Sequence, residues 1–222
     1  MQGMKIIHQR VNPKFLVVTP LRVGDKISKE TTKSIKRNDT PFTWIAYEGS
    51  HNIPINTTIG LNTYLGINKK ENIRYFIKID NDINADRGLL DEMYNSLESC
   101  DDNGVAYCYC PFKFILPEGR EIEFKYREFD EEALLRSNYI TSNSMINIEK
   151  LNNIGGLVCD SYYQRLLDYA TWLKFLTYGY TGICCKKGFT TPLQEGSISA
   201  GGENDYNLKM NRIQKDFIRP LS

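Results

Sequence analysis

Arg74-Tyr-Phe-Ile-Lys-Ile-Asp-Asn-Asp-Ile-Asn84 runs a β-prone apolar segment straight into two aspartates one residue apart. Residues at i and i+2 of a strand project to the same side, so Asp80 and Asp82 repel unless a positive group or water separates them. Lys78 alternates onto the side of Asp80 and is placed to screen the acidic pair. The meaning of the stretch depends on where the strand lies in its sheet, and the flanking sequence supplies that context.

Upstream, Phe15-Leu-Val-Val-Thr19 is a short apolar run closed by Pro20, which predicts a buried strand. Lys26 to Lys36 is helix-compatible with Ser28 as a cap, and Phe42 to Tyr47 predicts a second strand ending in a Glu48-Gly49-Ser50 turn. Ile55, Ile59, Asn62 and Leu65-Gly66 have helical spacing that ends at glycine. Tyr75 to Ile79 is the third strand, and Leu89, Leu90, Met93 and Leu97 predict a helix capped by Asp86. Strand and helix therefore alternate through the first half, as in a parallel sheet with crossover helices.

Further along, Val105 to Cys110 predicts a fourth strand, and Phe112–Leu116 with Glu121–Lys125 predicts a small antiparallel hairpin. Ser144 to Asn147 is extended, Ile148 to Ile154 a brief helix stopped by Gly155-Gly156, and Tyr162 to Tyr178 the longest helical stretch. Thr181 to Cys185 reads as a strand and Asp205 to Gln214 as a last helix. The fold class is α/β: a Rossmann-like, mainly parallel mixed sheet flanked by helices. One domain over 1–222 is expected, with a ligand-binding half at about 14–110, a second half at about 111–200 and a C-terminal helix at about 203–215.

Composition bounds the function. The 222 residues are 41% hydrophobic and 25% charged, with a formal net charge of +1. That balance gives no basic field for nucleic acid. Six cysteines without C-x-x-C spacing and only two histidines argue against zinc. No apolar run approaches the roughly 20 residues of a membrane span, and the thiols fit a reducing, cytoplasmic setting, with peripheral membrane contact left open. The length leaves room for the chain to be one domain of a longer polypeptide. No G-x-G-x-x-G follows a strand and no G-x-x-x-x-G-K-[ST] is present, which excludes a typical dehydrogenase and a P-loop kinase.

In open α/β sheets ligands bind outside the carboxyl ends of the strands. Thr19-Pro20, Glu48-Gly49 and Asp80-Asn81-Asp82 all fall at such ends. A hard divalent cation, Mg²⁺ or Mn²⁺, prefers carboxylate oxygens and is completed by water and substrate phosphates. An EF-hand loop starting at Asp80 fails, because Ala85 stands where glycine is needed and Asp91 where a bidentate glutamate is needed.

The order of these motifs resembles the nucleotide-sugar glycosyltransferases of GT-A fold, in particular the family-2-like group. Three more stretches match in sequence order: Thr58-Ile-Gly-Leu-Asn-Thr-Tyr-Leu-Gly66, Ser144 to Leu157 with its Gly-Gly, and Leu167-Asp-Tyr-Ala-Thr-Trp-Leu-Lys-Phe175. The resemblance runs from about Phe15 to Ser199. It implies transfer of a sugar from a nucleoside diphosphate, UDP by family habit, to a hydroxyl of a glycan, glycoprotein or lipid-linked acceptor. By the same likeness Thr19, Pro20, Leu21 and Arg22 line the nucleoside pocket, with Glu48, Asp80 and Asn81 also touching the donor. Asp80 and Asp82 would hold Mn²⁺ or Mg²⁺, and Asp168 would be the base of an inverting hexosyl or deoxyhexosyl transfer.

The sequence also departs from the family pattern. Glu48 stands alone where two acids are usual, an Arg-Asn pair near Thr57-Thr58 is missing, and Leu167 replaces the glutamate before Asp168. No histidine stands near Gln194–Ser199 to complete a metal shell, which leaves Glu195 or water for that role. Two alternatives share the fold. One is a nucleotidyltransferase, disfavoured because Leu21-Arg-Val-Gly24 is poor in glycine; the other is a non-catalytic nucleotide-sugar-binding module.

Overall fold

In the computed structural model the described residues are 3–163, 166–193 and 203–218. Three buried strands organise the chain: β2 (Phe15–Leu21), β3 (Phe42–Glu48) and β4 (Tyr75–Lys78). All seven residues of β2 are buried, as a strand covered on both faces requires. Both β3 and β4 pair with β2 in parallel, through crossovers carrying α1 (Lys29–Ile35) and α2 (Ile53–Ile67). Since β3 and β4 leave β2 on opposite sides, the crevice outside β2 and β4 is the topological switch point.

Among the described residues the main sheet has seven strands. An edge strand β1 (Gly3–Gln9), not anticipated from sequence, pairs antiparallel with β3. On the far side β9 (Met145–Asn147) inserts antiparallel between β4 and β6 (Val105–Tyr109), and β10 (Thr181–Cys184) closes the order β1-β3-β2-β4-β9-β6-β10. The sheet is therefore mixed, as expected. The predicted hairpin forms as β7 (Phe112–Ile115) and β8 (Glu121–Phe124). It belongs to a second, four-stranded sheet with β5 (Asn84–Ala85) and β11 (Phe189–Pro192), in the order β5-β11-β7-β8.

Alternation along the central strands splits the core into two layers. Leu16, Val18, Ile45 and Phe76 face α2, α5 (Ile148–Asn153) and α6 (Leu167–Thr177). Phe15, Val17, Trp44, Tyr75 and Ile77 face α1 and α3 (Leu89–Glu98). Gly60 lets α2 approach the sheet, since a Cβ there would lie 2.9 Å from Tyr47 Cβ and 3.3 Å from Val18 Cγ1. The polar helix α4 (Glu131–Arg136) packs on α6, and α7 (Glu203–Phe217) packs across α6 and the short 3-10 turn Ser161–Tyr163.

Two local expectations need correction. Ser28 caps α1 as predicted, its Oγ accepting the Thr31 N–H at 2.9 Å, but Asp86 does not cap α3. Its carboxylate accepts the Gly188 N–H (2.9 Å) and its own N–H donates to Gly188 O (2.9 Å), tying it to the second sheet. The cap position falls to Gly88, whose φ of 75° suits glycine. The long helix expected from Tyr162 to Tyr178 begins at Leu167, after the 3-10 turn.

Candidate active site

The tips of β2, β3 and β4 meet around the loop 22–28. Glu48 Oε1 accepts the Gly24 N–H at 3.2 Å, and Asp25 Oδ2 accepts the Arg22 N–H at 3.2 Å. From the other side, Asn81 Nδ2 donates to Lys26 O at 3.1 Å and Asn81 O accepts the Ser28 N–H at 2.8 Å. Glu48 and Asn81 thus strap the loop over the switch point. Thr19 is fully buried, and its Oγ1 accepts the Trp44 Nε1 proton at 2.9 Å. Pro20 and Leu21 are also buried, so Arg22 is the exposed member of that group. Its guanidinium makes no ion pair among the described residues, leaving a free cation beside the cleft.

Asp80 is held from three directions. Lys78 Nζ reaches both carboxylate oxygens, at 2.7 and 2.8 Å, and Ser142 Oγ at 2.7 Å. Asn143 Nδ2 donates to Asp80 Oδ2 at 3.0 Å, while Asn143 Oδ1 accepts the Asp80 N–H at 3.0 Å. The Lys78 side chain is 12% exposed and that of Asp80 35%, so solvent screens this pair less than a surface one. Lys78 points into the α6 layer because it shares strand parity with Phe76.

Asp82 sits beyond the turn and meets the second sheet. Thr191 Oγ1, on β11, donates to Asp82 Oδ1 at 3.3 Å. Burial, and secondarily the Asp80 charge, push the Asp82 carboxyl above its usual range; the Thr191 hydrogen bond opposes this. A positive group near Asp82 would offset both effects.

Asp168 lies in the first turn of α6, partly exposed at the cleft. Its Oδ1 accepts the Tyr169 N–H at 2.8 Å, and its Oδ2 accepts from Asn138 Nδ2 at 3.3 Å. Burial raises its pKa, while that hydrogen bond from its own helix, the Lys78 charge and Asn138 pull it down. Asn138 and Asn143 belong to one loop between α4 and β9, so a single short segment holds Asp168 at one end and Asp80 at the other. Tyr169 and Trp172 anchor α6 beneath it, donating to Leu134 O (2.8 Å) and Ile140 O (3.2 Å).

The structure thus gathers Asp80, Asp82, Asn81, Glu48, Arg22 and Asp168 at the carboxyl ends of the strands. Ser142, Asn143, Asn138 and Thr191 also belong to the site and were not singled out from sequence. The polar run Thr141-Ser-Asn-Ser144, abutting a central strand, was the available signal. Tyr107 and Tyr109 are buried in the core, and Phe112 and Phe114 are half-buried on the second sheet. Glu195 lies outside the described residues.

The residues fit a divalent cation unevenly. Among the described residues no three His, Cys, Asp or Glu side chains converge as a cage. Both oxygens of Asp80 are spent on Lys78, whereas Asp82 has a single hydrogen bond from another side chain. One carboxylate completed by water and substrate phosphates is a common Mg²⁺ or Mn²⁺ arrangement. Asp82 fits that arrangement and Asp80 does not. Two cavities, about 550 and 430 Å³, lie at the opposite, amino-terminal edge of the sheet around Arg74 and Glu98. Glu98 there is already bonded to Arg74 and Tyr75.

No protein-family model matches the chain, and no curated protein matches its sequence. Solved structures do match in fold. Residues 1–349 of S. aureus TarS superpose with a TM-score of 0.55 at 11% identity, covering 90% of this chain and 64% of that one. The same TarS fragment in complex with UDP gives 0.52 at 13% identity, with the same coverages. A longer TarS structure gives 0.51 at 13%, covering 90% of this chain and 39% of that one. The chain therefore spans less than two thirds of these neighbours. No described helix is long and apolar enough to cross a membrane. At these identities the likeness is one of fold, and that fold is the mixed α/β, GT-A-like arrangement.

Proposed function

We propose that the chain is a glycosyltransferase domain that moves a sugar from a nucleoside diphosphate, UDP for preference, to an acceptor hydroxyl. The observation that carries this reading is that Asp80 and Asp82 stand at the switch point while one loop, 138–143, holds Asp80 through Asn143 and Asp168 through Asn138. The fold neighbour solved with UDP supports the same reading.

The nucleoside would lie against the tips of β2 and β3, beside exposed Arg22 and half-buried Glu48, with Asp80 Oδ1, bonded only to Lys78, keeping a lone pair for a donor hydroxyl. A divalent cation carried by Asp82 would neutralise charge on the diphosphate. Asp168 takes the proton of the acceptor hydroxyl as its oxygen bonds to the anomeric carbon. The bond from that carbon to the diphosphate oxygen breaks, its electron pair leaves with the diphosphate, and direct displacement inverts the centre. Arg22, exposed and without an ion-pair partner among the described residues, is placed to meet phosphate. The acceptor class, a glycan, glycoprotein or lipid-linked hydroxyl, follows from the family likeness.

A thermal-shift titration with UDP and UDP-sugars, with and without Mn²⁺, tests this. We expect stabilisation that grows with nucleotide concentration as a binding isotherm, is larger with Mn²⁺, and is reduced in Asp82→Ala. Absence of any nucleotide response would remove the proposal.

A further inference from the structure

We infer that Lys78 is the resident cation of Asp80, so that this chain takes up a divalent ion through Asp82 alone and only together with a phosphate-bearing ligand. The inference rests on the donor-site reading above and goes beyond it, because a strand-tip D-x-D by itself suggests that both carboxylates face one metal.

Three observations carry it. The Lys78 ammonium spans both Asp80 oxygens at 2.7 and 2.8 Å, where a metal using Asp80 would have to bind. The ammonium is itself fixed by Ser142 at 2.7 Å and the Lys78 side chain is only 12% exposed, so swinging aside into water would break a partly buried hydrogen bond. Asn143 then fills the remaining side of Asp80 and fixes its backbone, which keeps the carboxylate turned toward Lys78. Asp82 turns instead to Thr191 on the second sheet, and no third acidic or histidine ligand joins it among the described residues.

Charge counting points the same way. With Lys78 in place, the Asp80–Asp82 pair presents one net negative charge to an incoming ion instead of two. A single carboxylate holds Mg²⁺ or Mn²⁺ weakly, and substrate phosphates normally supply the missing ligands. Lys78 would therefore make cation uptake conditional on the donor, excluding ions from the empty cleft. Replacing its charge should free Asp80 to join Asp82 in a two-carboxylate site.

The test reads metal binding directly, by electron paramagnetic resonance of free Mn²⁺ titrated against the protein without nucleotide. Wild type should bind Mn²⁺ weakly, and Asp80→Asn, which leaves the Lys78 charge unpaired beside Asp82, should bind it no more tightly. Lys78→Met should bind Mn²⁺ about tenfold more tightly or better, the scale on which groups around a metal site alter its affinity. The double variant Lys78→Met/Asp80→Asn should fall back to the wild-type value. Lys78→Gln, which keeps a donor to Asp80 without the charge, gives a second variant should the methionine disturb folding. Circular dichroism and the unfolding midpoint report whether each is folded.

Mn²⁺ affinity unchanged in a folded Lys78 variant would overturn the inference. So would a double variant Lys78→Met/Asp80→Asn that binds Mn²⁺ as tightly as Lys78→Met, because Asp80 would then not be the ligand that Lys78 withholds. A protein that ignores UDP would count against the glycosyl-transfer reading instead, and leaves the nucleotide-free comparison intact.

Discussion

Asn143 holds Asp80 twice: its amide oxygen accepts the Asp80 backbone N–H and its amide nitrogen donates to the Asp80 carboxylate, both at 3.0 Å. Asn143 is 4% exposed, so neither bond can be replaced by bulk water. Leaving a buried polar group unpaired costs about 1–3 kcal/mol. Asn143→Ala should therefore lower unfolding stability by about that much in urea melts and weaken UDP binding as Asp80 loosens. Asn143→Asp should be worse on both counts, because it sets a second carboxylate against Asp80. Wild-type stability and UDP affinity in Asn143→Ala would contradict the assignment.

Asp168→Asn should abolish most transfer while leaving UDP affinity intact, since Asp168 is tied to Asn138 and its own helix and makes no bond to loop 22–28. Single-turnover transfer alongside a UDP titration separates the two effects. Full transfer activity in the variant would move the base elsewhere.

The same carboxyl makes a prediction about pH and activity. Burial raises the Asp168 pKa, and a base must be deprotonated to act. Transfer should therefore be low below the raised value, climb as pH rises through it, and level off above, with the inflection displaced upward from an ordinary aspartate. Residual activity in Asp168→Asn should lack that limb.

Stability should respond to pH in the opposite direction. The folded-state pKa of Asp168 lies above its unfolded value, so the native state binds the proton more tightly. Its contribution is fully present below the unfolded pKa and is lost as pH rises through the folded one. The stability of Asp168→Asn relative to wild type should thus improve from acid toward neutral pH. Each kcal/mol gained would show as a midpoint rise of about 2–4 °C for a chain of this size. A difference independent of pH would refute the assigned direction.

Gly182 offers a check on the core far from the chemistry. A Cβ there would lie 2.3 Å from Tyr107 Cε2 and 2.8 Å from two neighbouring ring atoms, and Tyr107 is fully buried. Gly182→Ala should destabilise by about 1–3 kcal/mol, the usual cost of overpacking. Donor affinity should be unaffected. A neutral substitution would mean β10 and β6 pack more loosely than described.

Sequence determined what is local. The apolar runs of β2, β3 and β4 had to become buried strands, because each is too short for a helix and too apolar for a surface. Their polar ends then placed Thr19 to Arg22, Glu48 and Asp80 to Asp82 at one edge of a sheet. Ser28 could be read as a cap because its partner, Thr31, is three residues away. Asp86 could not be read correctly, because its partner is Gly188 on another sheet.

Tertiary structure decided the pairings over long chain separations. Asn143 reaches Asp80 across 63 residues, and Thr191 reaches Asp82 across 109. Both depend on where β9 and β11 dock, and no periodicity in the sequence encodes sheet order. The antiparallel insertion of β9 between β4 and β6 brings the loop 138–143 to the strand tips. That is how Lys78, a residue whose screening role could be guessed from strand alternation, became the enclosed partner of one aspartate and not of the other.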